Sequence, residues 1–287
     1  MWILFALLNP ISESFRNVFS KKASRNNADP LVISWFNNFI PVIVYSPFLF
    51  FIETKFSFLF FKSIIISGII NIVAVILYHR AINKGEISTV VPMLSFTPLF
   101  LLVISPLIVN EFPDLLGMVG LILIVIGSYL LNINPSVHGF FTPLKSLVKN
   151  KGTRYMLIVS FIWAISANYD KIGIQQSSPL QYIIFVNLFV FTGVSSVLFF
   201  KKKAKLIKQA KENKHIIYVG LFTALGFIFQ MTALSLTLVA YVISLKRMSG
   251  MITVFFGAIF FKEQNIREKM LGSLIMFLGV LLILLPF

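Results

Sequence analysis

Residues 179–200, PLQYIIFVNLFVFTGVSSVLFF, run without a single charged side chain. A helix of that length is about 33 Å long at 1.5 Å per residue, enough to cross the ~30 Å hydrocarbon core of a bilayer. Similar blocks recur along the whole chain, and nothing else in it constrains the fold so tightly. Lipid offers no partners for backbone N–H and C=O groups, so a spanning segment is either a helix or part of a closed barrel. Barrel strands alternate apolar and polar residues, and these blocks do not alternate. The expected class is therefore an all-α membrane protein. Composition agrees: 57% of residues are hydrophobic, 12% are charged and 32 are Phe.

Ten spans are expected, at roughly 2–22, 30–52, 62–82, 86–109, 113–132, 154–175, 179–200, 215–236, 238–261 and 266–286. Several connections are only a few residues long, so consecutive spans run antiparallel. The opening MWILFALLNP lacks a basic start and a small-residue cleavage pattern, and reads as the first half of span one rather than as a signal peptide. Nineteen of the 25 Lys and Arg fall in or beside alternate connections (1–2, 3–4, 5–6, 7–8 and 9–10), and only three on the opposite side. By the positive-inside rule those five connections are cytoplasmic and both termini are outside. This bias accounts for the net charge of +15 without invoking nucleic acid. The richest stretch, KKKAKLIKQAKENK (201–214), is a solvated topology-setting loop or a contact for anionic lipid.

The sequence also repeats itself. Displaced by 152 residues, Gly68 meets Gly220, Ala81 meets Ala233, Glu111 meets Glu263, Gly120 meets Gly272 and Gly127 meets Gly279. Displaced by 149, Lys22 meets Lys171, Pro30 meets Pro179 and Asn38 meets Asn187. The chain thus divides into two five-helix repeats, 1–150 and 151–287. An odd number of spans inverts the second repeat relative to the first. Inverted repeats are a common construction of secondary transporters, with substrate bound near the midplane.

Two blocks carry a family resemblance. One is ILYHRAINKGEISTVVPMLSFTPLFLLVISPLIVNE followed by LLGMVGLILIVIGSYLL; the other is FQMTALSLTLVAYVISLKRMSGMITVFFGAIFFKE followed by KMLGSLIMFLGVLLILL. Each has a short hairpin, a span ending in Glu and a Gly-containing span. In this layout the chain resembles the drug/metabolite transporter superfamily, specifically its EamA-type ten-helix members. The resemblance implies transport but not a substrate, since such proteins carry amino acids, amines, nucleotide sugars, phosphorylated metabolites and more.

The most unusual residues are Lys246 and Arg247, adjacent cations eight or nine residues into span nine. That is roughly 12–13 Å deep, near the middle of the bilayer. A cation there costs about 2.5–3.5 kcal/mol on insertion scales, and intramembrane charge is a functional-site hypothesis by default. The matching positions of the first repeat hold Leu94 and Ser95, so the repeat architecture does not require them. The pair can bind an anionic substrate; alternatively it belongs to an ion-pair cluster closing a gate. A Lys-Arg pair in this helix also resembles the plastid phosphate translocators, where such a pair grips phosphate.

Other polar residues sit at comparable depth. Glu13 and Arg16 share one face of span one; they neutralise each other, or Glu13 is a counterion of Lys246 or Arg247, or a proton-coupling carboxylate. Pro10 just before them can open a helical turn. Asp170 and Lys171 lie toward the outer end of span six, where snorkelling to the interface is the expected behaviour. Lys22 is the repeat mate of Lys171, and the three form a candidate gate or coupling group. Trp163 and Asn168 are deeper and can line a cavity. Span four carries Pro92, Pro98 and Pro106 with Ser95 and Thr97 between them, a pattern that permits kinks. Tyr78 and Gln230 match across the repeat and can each hydrogen-bond a substrate. The charges within spans (Arg16, Lys171, Lys246 and Arg247 against Glu13 and Asp170) leave an excess of two positive, which favours an anion.

Nothing in the sequence suggests a cofactor. There is no phosphate-binding glycine loop and no HExxH, there are no cysteines, and His79, His138 and His215 lack metal-ligand spacing. The expected function is secondary active transport of a small polar, anionic metabolite, with membrane lipids as the other partner, no nucleic acid, and a monomer or homodimer as the assembly. The alternatives are an exporter of amino acids, amines or drugs with Lys246 and Arg247 as gate residues, and a non-transporting membrane enzyme or assembly factor. An enzyme would bring acid and base groups together near one interface, whereas these charges lie mid-span or in basic loops.

Overall fold

The computed structural model describes residues 1–84, 90–132, 141–203, 205–210, 213–261 and 266–285. Among them there is no strand. In chain order the helices are α1 (Trp2–Arg25), α2 (Pro30–Tyr45), α3 (Phe58–Lys84), α4 (Thr97–Val109), α5 (Leu115–Asn132), α6 (Thr142–Lys149), α7 (Lys151–Gln175), α8 (Pro179–Phe200), α9 (Lys205–Ala210), α10 (Lys214–Leu236), α11 (Val239–Lys246), α12 (Met248–Phe261) and α13 (Ile266–Leu284). Short 3₁₀ segments at Ser46–Phe50 and Val91–Phe96 extend α2 and precede α4.

Among the described residues, six helical stretches are long and apolar enough to span a bilayer: Pro30–Phe50, Phe58–Tyr78, Val91–Val109, Lys151–Gln175, Pro179–Phe200 and Lys214–Leu236. The remaining expected spans fall short for separate reasons. The first half of α1 is apolar but its second half carries Glu13, Arg16, Asn17, Lys21 and Lys22. The apolar parts of α5 and α13, Leu115–Leu131 and Met270–Leu284, are shorter helices. The ninth expected span is broken into α11 and α12. One element goes beyond expectation: α6 turns part of the connection after α5 into a short amphipathic helix, whose Leu144 and Leu147 pack on the apolar core while Lys145 and Lys149 are exposed.

The helices group into two compact units, and each draws on both halves of the sequence: Met1–Ile72 with Tyr169–Leu236, and Val73–Asn168 with Thr237–Phe287. In the first unit, α1 lies along α10 through an aromatic ladder. Phe15 stacks on Phe222 at 5.0 Å and Phe19 on Tyr218 at 4.8 Å. The buried amide of Asn9 donates to the Gly226 carbonyl at 2.8 Å. The repeat mates α2 and α8 lie antiparallel: the Trp35 indole donates to Ser195 Oγ at 2.8 Å, and four residues along α2 Phe39 lies 5.4 Å from Phe191. Both helices begin with the same device. Asp29 accepts from the Leu31 N–H at 2.8 Å ahead of Pro30, and Ser178 accepts from the Gln181 N–H at 3.1 Å ahead of Pro179. An N-cap oxygen satisfies an orphan helix donor, and proline at the first position has no N–H to waste.

Connections meet at each end of this unit. At one end Lys203 Nζ pairs with Asp29 Oδ2 at 2.6 Å, joining the loop after α8 to the loop after α1. Asn213 adds a bond to the Ala23 carbonyl at 3.1 Å. At the other end the Gln181 amide grips the backbone of Lys55 both ways, accepting from its N–H at 3.0 Å and donating to its carbonyl at 2.7 Å.

In the second unit, Ala74, Ala81, Met93, Met156 and Val159 form a fully buried apolar core. The repeat mates α5 and α13 cross antiparallel and backbone to backbone. A Cβ placed on Gly120 would lie 2.6 Å from the Gly279 carbonyl oxygen, and one on Gly127 would lie 2.5 Å from that of Gly272. Each glycine therefore faces the repeat mate of the other. Small residues allow this approach, and membrane helix association depends on it because lipid tails supply no hydrophobic drive between helices.

Candidate functional site

The expected site residues divide between the two units. Lys246, Arg247, Tyr78, Ser95, Trp163 and Asn168 belong to the second; Glu13, Arg16, Lys22, Gln230, Asp170 and Lys171 belong to the first.

In the second unit, the cation pair sits at the break in span nine. α11 ends at Lys246, Arg247 is its C-cap, and α12 begins at Met248. Two tight turns bridge the break: the Arg247 N–H donates to the Ser244 carbonyl at 2.9 Å, and the Gly250 N–H donates to the Arg247 carbonyl at 3.0 Å. Cations at a helix C-terminus are favoured by the partial negative charge there. The break therefore explains, in part, how the span tolerates them. The Arg247 guanidinium donates to Thr97 Oγ1 at 2.9 Å, while the Thr97 hydroxyl itself donates to the Leu94 carbonyl at 2.9 Å.

Thr97 marks the corresponding discontinuity in span four, where the 3₁₀ segment Val91–Phe96 gives way to α4. Pro92 and Pro98 lie in the first positions of these two segments, where a missing N–H costs nothing. Two of the three prolines thus place the discontinuity, and Pro106 alone lies within α4. Ser95, the repeat mate of Arg247, is buried and shares a 2.7 Å hydrogen bond with Ser128.

Among the described residues of this unit, three buried oxygens have no hydrogen-bond partner: Ser105 Oγ on α4, Ser244 Oγ, one turn before Arg247, and Asn168 Oδ1, whose amide nitrogen is bound to the Ala164 carbonyl at 2.8 Å. Buried polar atoms are nearly always satisfied in folded proteins, so these oxygens are candidates for contact with a ligand or water. The half-buried rings of Tyr78 and Trp163 lie 6.3 Å apart.

The N-terminal end of α11 is held by the connection between α4 and α5. Glu111 Oε2 accepts from the Val239 N–H at 2.7 Å. Asp114 Oδ1 accepts from the Tyr241 hydroxyl at 2.6 Å and from the Gly117 N–H at 3.0 Å. Neither interaction follows from spacing in the sequence, although the recurrence of Glu111 as Glu263 signals the position. Glu263 lies outside the described residues.

In the first unit Glu13 and Arg16 form an ion pair one turn apart on α1, one of the alternatives open from the sequence. Arg16 also donates to Asn17 Oδ1 at 3.1 Å. Gln230 is buried, and Lys22 lies 5.6 Å from the Phe19 ring. Asp170 and Lys171 depart from expectation. They do not snorkel: protein covers both, leaving them 7% and 5% exposed. Asp170 Oδ1 accepts from Ser67 Oγ at 2.5 Å and from the Tyr182 hydroxyl at 2.9 Å. Asn71 donates in turn to Ser67 Oγ at 3.3 Å. Sequence reasoning missed Ser67, Asn71 and Tyr182, since nothing along the chain connects α3, α7 and α8 at these positions. Among the described residues no group of acidic, His or Cys side chains could hold a metal ion.

Comparison with known proteins gives consistent findings. The sequence model of the EamA-like transporter family matches residues 1–133 and again 150–285. An uncharacterized transporter of Archaeoglobus fulgidus is 24% identical over 209 residues, covering 73% of this chain and 70% of that protein. An uncharacterized protein of Methanocaldococcus jannaschii is 37% identical over 70 residues, covering 24% of this chain and 51% of that one. A solved crystal structure superposes with a TM-score of 0.76 at 10% identity, covering 99% of this chain and 97% of the other, which speaks to the fold alone.

Proposed function

Since the chain belongs to the EamA-like transporter family and is a multi-pass membrane protein, we propose that it is a secondary transporter of a small anionic metabolite. Ten spans in two inverted five-helix repeats exchange access to the site, with the basic connections cytoplasmic and both termini outside. The antiparallel pairing of α5 with α13 and of α2 with α8 supports the inversion, because repeat mates related in this way run in opposite directions. The twofold family match supports the duplication.

The observation that carries the anionic reading is the break at Arg247. Discontinuous helices in transporters place backbone polar groups and charges where substrate binds. Here the break presents a guanidinium and an ammonium, and Arg suits carboxylate or phosphate because its fork of donors matches two oxygens. Ser244 Oγ and Asn168 Oδ1 supply further polar contacts, and Tyr78, Trp163 and Ser95 are the remaining candidates for the lining within this unit; Gln230 is a separate candidate for substrate contact in the other unit. Glu13 and Arg16 are candidates for substrate contact, and Lys22, Asp170 and Lys171 for a gate or coupling group. In proteoliposomes, Arg247→Gln and Lys246→Gln should each abolish uptake of radiolabelled phosphate or glycerol phosphate while the purified protein keeps its helical content. Normal uptake in both variants removes the anion site. Electrogenic uptake of amino acids or amines in their place makes the pair a gate.

A further inference from the structure

We propose that the corner between α6 and α7 binds an anionic glycerophospholipid, with its phosphate held by Lys145, Lys149, Lys151 and Arg154 and an acyl chain lying along α7. The site follows from the membrane setting of the chain and does not depend on which solute is carried.

The first observation is charge. The sequence has no acid between Asp114 and Asp170, while 145–154 alone holds four cations. Lys145 and Lys149 lie one turn apart on α6, and Lys151 and Arg154 one turn apart at the start of α7. Such spacings put each pair on one face of its helix. All four side chains are exposed. Lys84 reaches the same corner from the end of α3, with its ammonium 5.7 Å from the Tyr155 ring. Glu86, the acid nearest Lys84 in the sequence, lies outside the described residues. Like charges gathered in this way repel one another, and a bound anion relieves the repulsion.

The second observation is that the corner is built. A single residue, Asn150, separates α6 from α7. Its side chain accepts from the Gly152 N–H at 2.7 Å and its carbonyl from the Arg154 N–H at 3.3 Å, so α7 starts on a side-chain cap. On the inward side, Leu144 and Leu147 pack on the buried core of this unit, and the Leu144 backbone hydrogen-bonds the Tyr129 hydroxyl. The cations thus stand on the outward side of two helix ends that are tied to the core.

The third observation selects a lipid over a soluble phosphate ester. Ile158 and Phe161 follow Arg154 by four and seven residues, on the same face of α7, and both are exposed although apolar. Phe161 lies edge-on to Phe100 of α4 at 5.3 Å. Phe141, just before α6, is exposed as well. A soluble anion gains nothing from this stripe. A phospholipid matches it: the phosphate sits at the level of the cations, and the chain runs beside Ile158 and Phe161, about 6–10 Å further along the helix. A short amphipathic helix with Lys on its polar face lies in the headgroup region in this manner, and each Lys or Arg there adds to the attraction for anionic lipid.

The test uses the full-length protein in phosphatidylcholine vesicles holding a minority of phosphatidylglycerol. Benzoylphenylalanine is placed at position 158 in exchange for Ile158, and after illumination the attached lipid is identified by mass spectrometry. Phosphatidylglycerol should be captured well above its share of the vesicle. Lys145→Gln, Lys149→Gln and Arg154→Gln should each lower that enrichment up to about fivefold, and the three together should bring it to the vesicle's own share. Lys145→Arg with Lys149→Arg should keep it, which separates charge from side-chain packing. The distant set Lys201→Gln, Lys202→Gln and Lys205→Gln should leave it unchanged. Capture at the vesicle's share in wild type, enrichment that survives the triple variant, loss in the arginine variant, or equal loss in the distant set overturns the proposal. Soluble glycerophosphoglycerol should not displace the captured lipid. Displacement by it at lipid-like concentrations makes the corner a site for free phosphate esters and overturns the lipid assignment.

Discussion

The glycine crossing of α5 and α13 allows a quantitative test with an internal control. A methyl at position 127 would put Cβ 2.5 Å from the Gly272 carbonyl oxygen and 2.6 Å from the Met276 backbone nitrogen. Favourable contacts lie at about 3.5–4.0 Å, so the helices must part by about 1 Å. Met276 Cγ, also at 2.6 Å, can rotate away, but the other two atoms are backbone and no side-chain rotation relieves their clash. A gap of about 0.5–1 Å already forfeits a quarter to a half of each dispersion contact, and overpacking typically costs about 1–3 kcal/mol. At Gly226, by contrast, the nearest neighbours of a new Cβ are 3.7 Å away, an ordinary contact. There Gly→Ala should stabilise by about 0.5–1 kcal/mol, because alanine loses less backbone entropy in a helix. The helix-propensity gain is common to both variants, and the difference between them isolates the crossing at about 1–3 kcal/mol. Apparent melting temperatures in detergent should then differ by about 2–12 °C, with Gly127→Ala lower. Equal melting temperatures, or a higher one for Gly127→Ala, would refute the backbone-contact reasoning.

Other perturbations follow from single interactions. Glu111→Ala leaves the Val239 N–H without its acceptor and should destabilise by about 1–3 kcal/mol, whereas Glu111→Gln keeps an acceptor and should lose about 1 kcal/mol or less; thermal unfolding of the two variants measures both. Burial raises the Asp29 carboxyl, but the hydrogen bond from Lys203, the N–H groups of Leu31 and Val32 and the Lys203 charge outweigh it and hold the group below its ordinary range. A lowered folded-state value means the unfolded chain takes up the proton first, so this contribution is intact above about pH 4 and is lost as pH falls further. Asp29→Asn should flatten that acid limb in a stability-versus-pH series. Thr97→Val preserves shape but removes the acceptor for Arg247, and should raise the KM for whichever anion the transport screen identifies while thermal stability changes by about 1 kcal/mol or less.

Much of the fold was legible in the sequence because lipid leaves helices few options. The uncharged run of 179–200 gives α8 its bounds, and Pro30 and Pro179 mark helix starts without ambiguity. The break in span nine was not legible. Apolar residues flank Lys246 and Arg247 on both sides, and hydropathy reads straight through them. Depth in the bilayer did flag the pair, and it turned out to lie at the one interruption of that span. The misreading of Asp170 and Lys171 has the opposite origin. Distance from a helix end predicts access to the interface only when no other helix covers the residue, and coverage is a tertiary property. Ser67 and Tyr182 come from helices whose sequences give no sign of meeting α7 there. The same holds for Glu111, whose partner is a backbone N–H. Backbone groups carry no signature in the sequence.

The reciprocal glycines of α5 and α13 also bear on how such a chain can evolve. Gly120 faces Gly279 and Gly127 faces Gly272, so each copy of the duplicated unit presses against the position equivalent to its own other glycine. In a symmetric dimer of unfused halves, any change at one of these sites would arise twice and clash twice. A single gene encoding both copies removes that doubling. Divergence then becomes possible at one copy alone, and the chain uses it: Lys246 and Arg247 on one side of the duplication, Leu94 and Ser95 on the other. A homodimer carrying the same pair would bring four cations into its membrane interior, each at about 2.5–3.5 kcal/mol. Carrying the pair once halves that electrostatic burden, while the glycine seam still needs a small residue at each of its contacts.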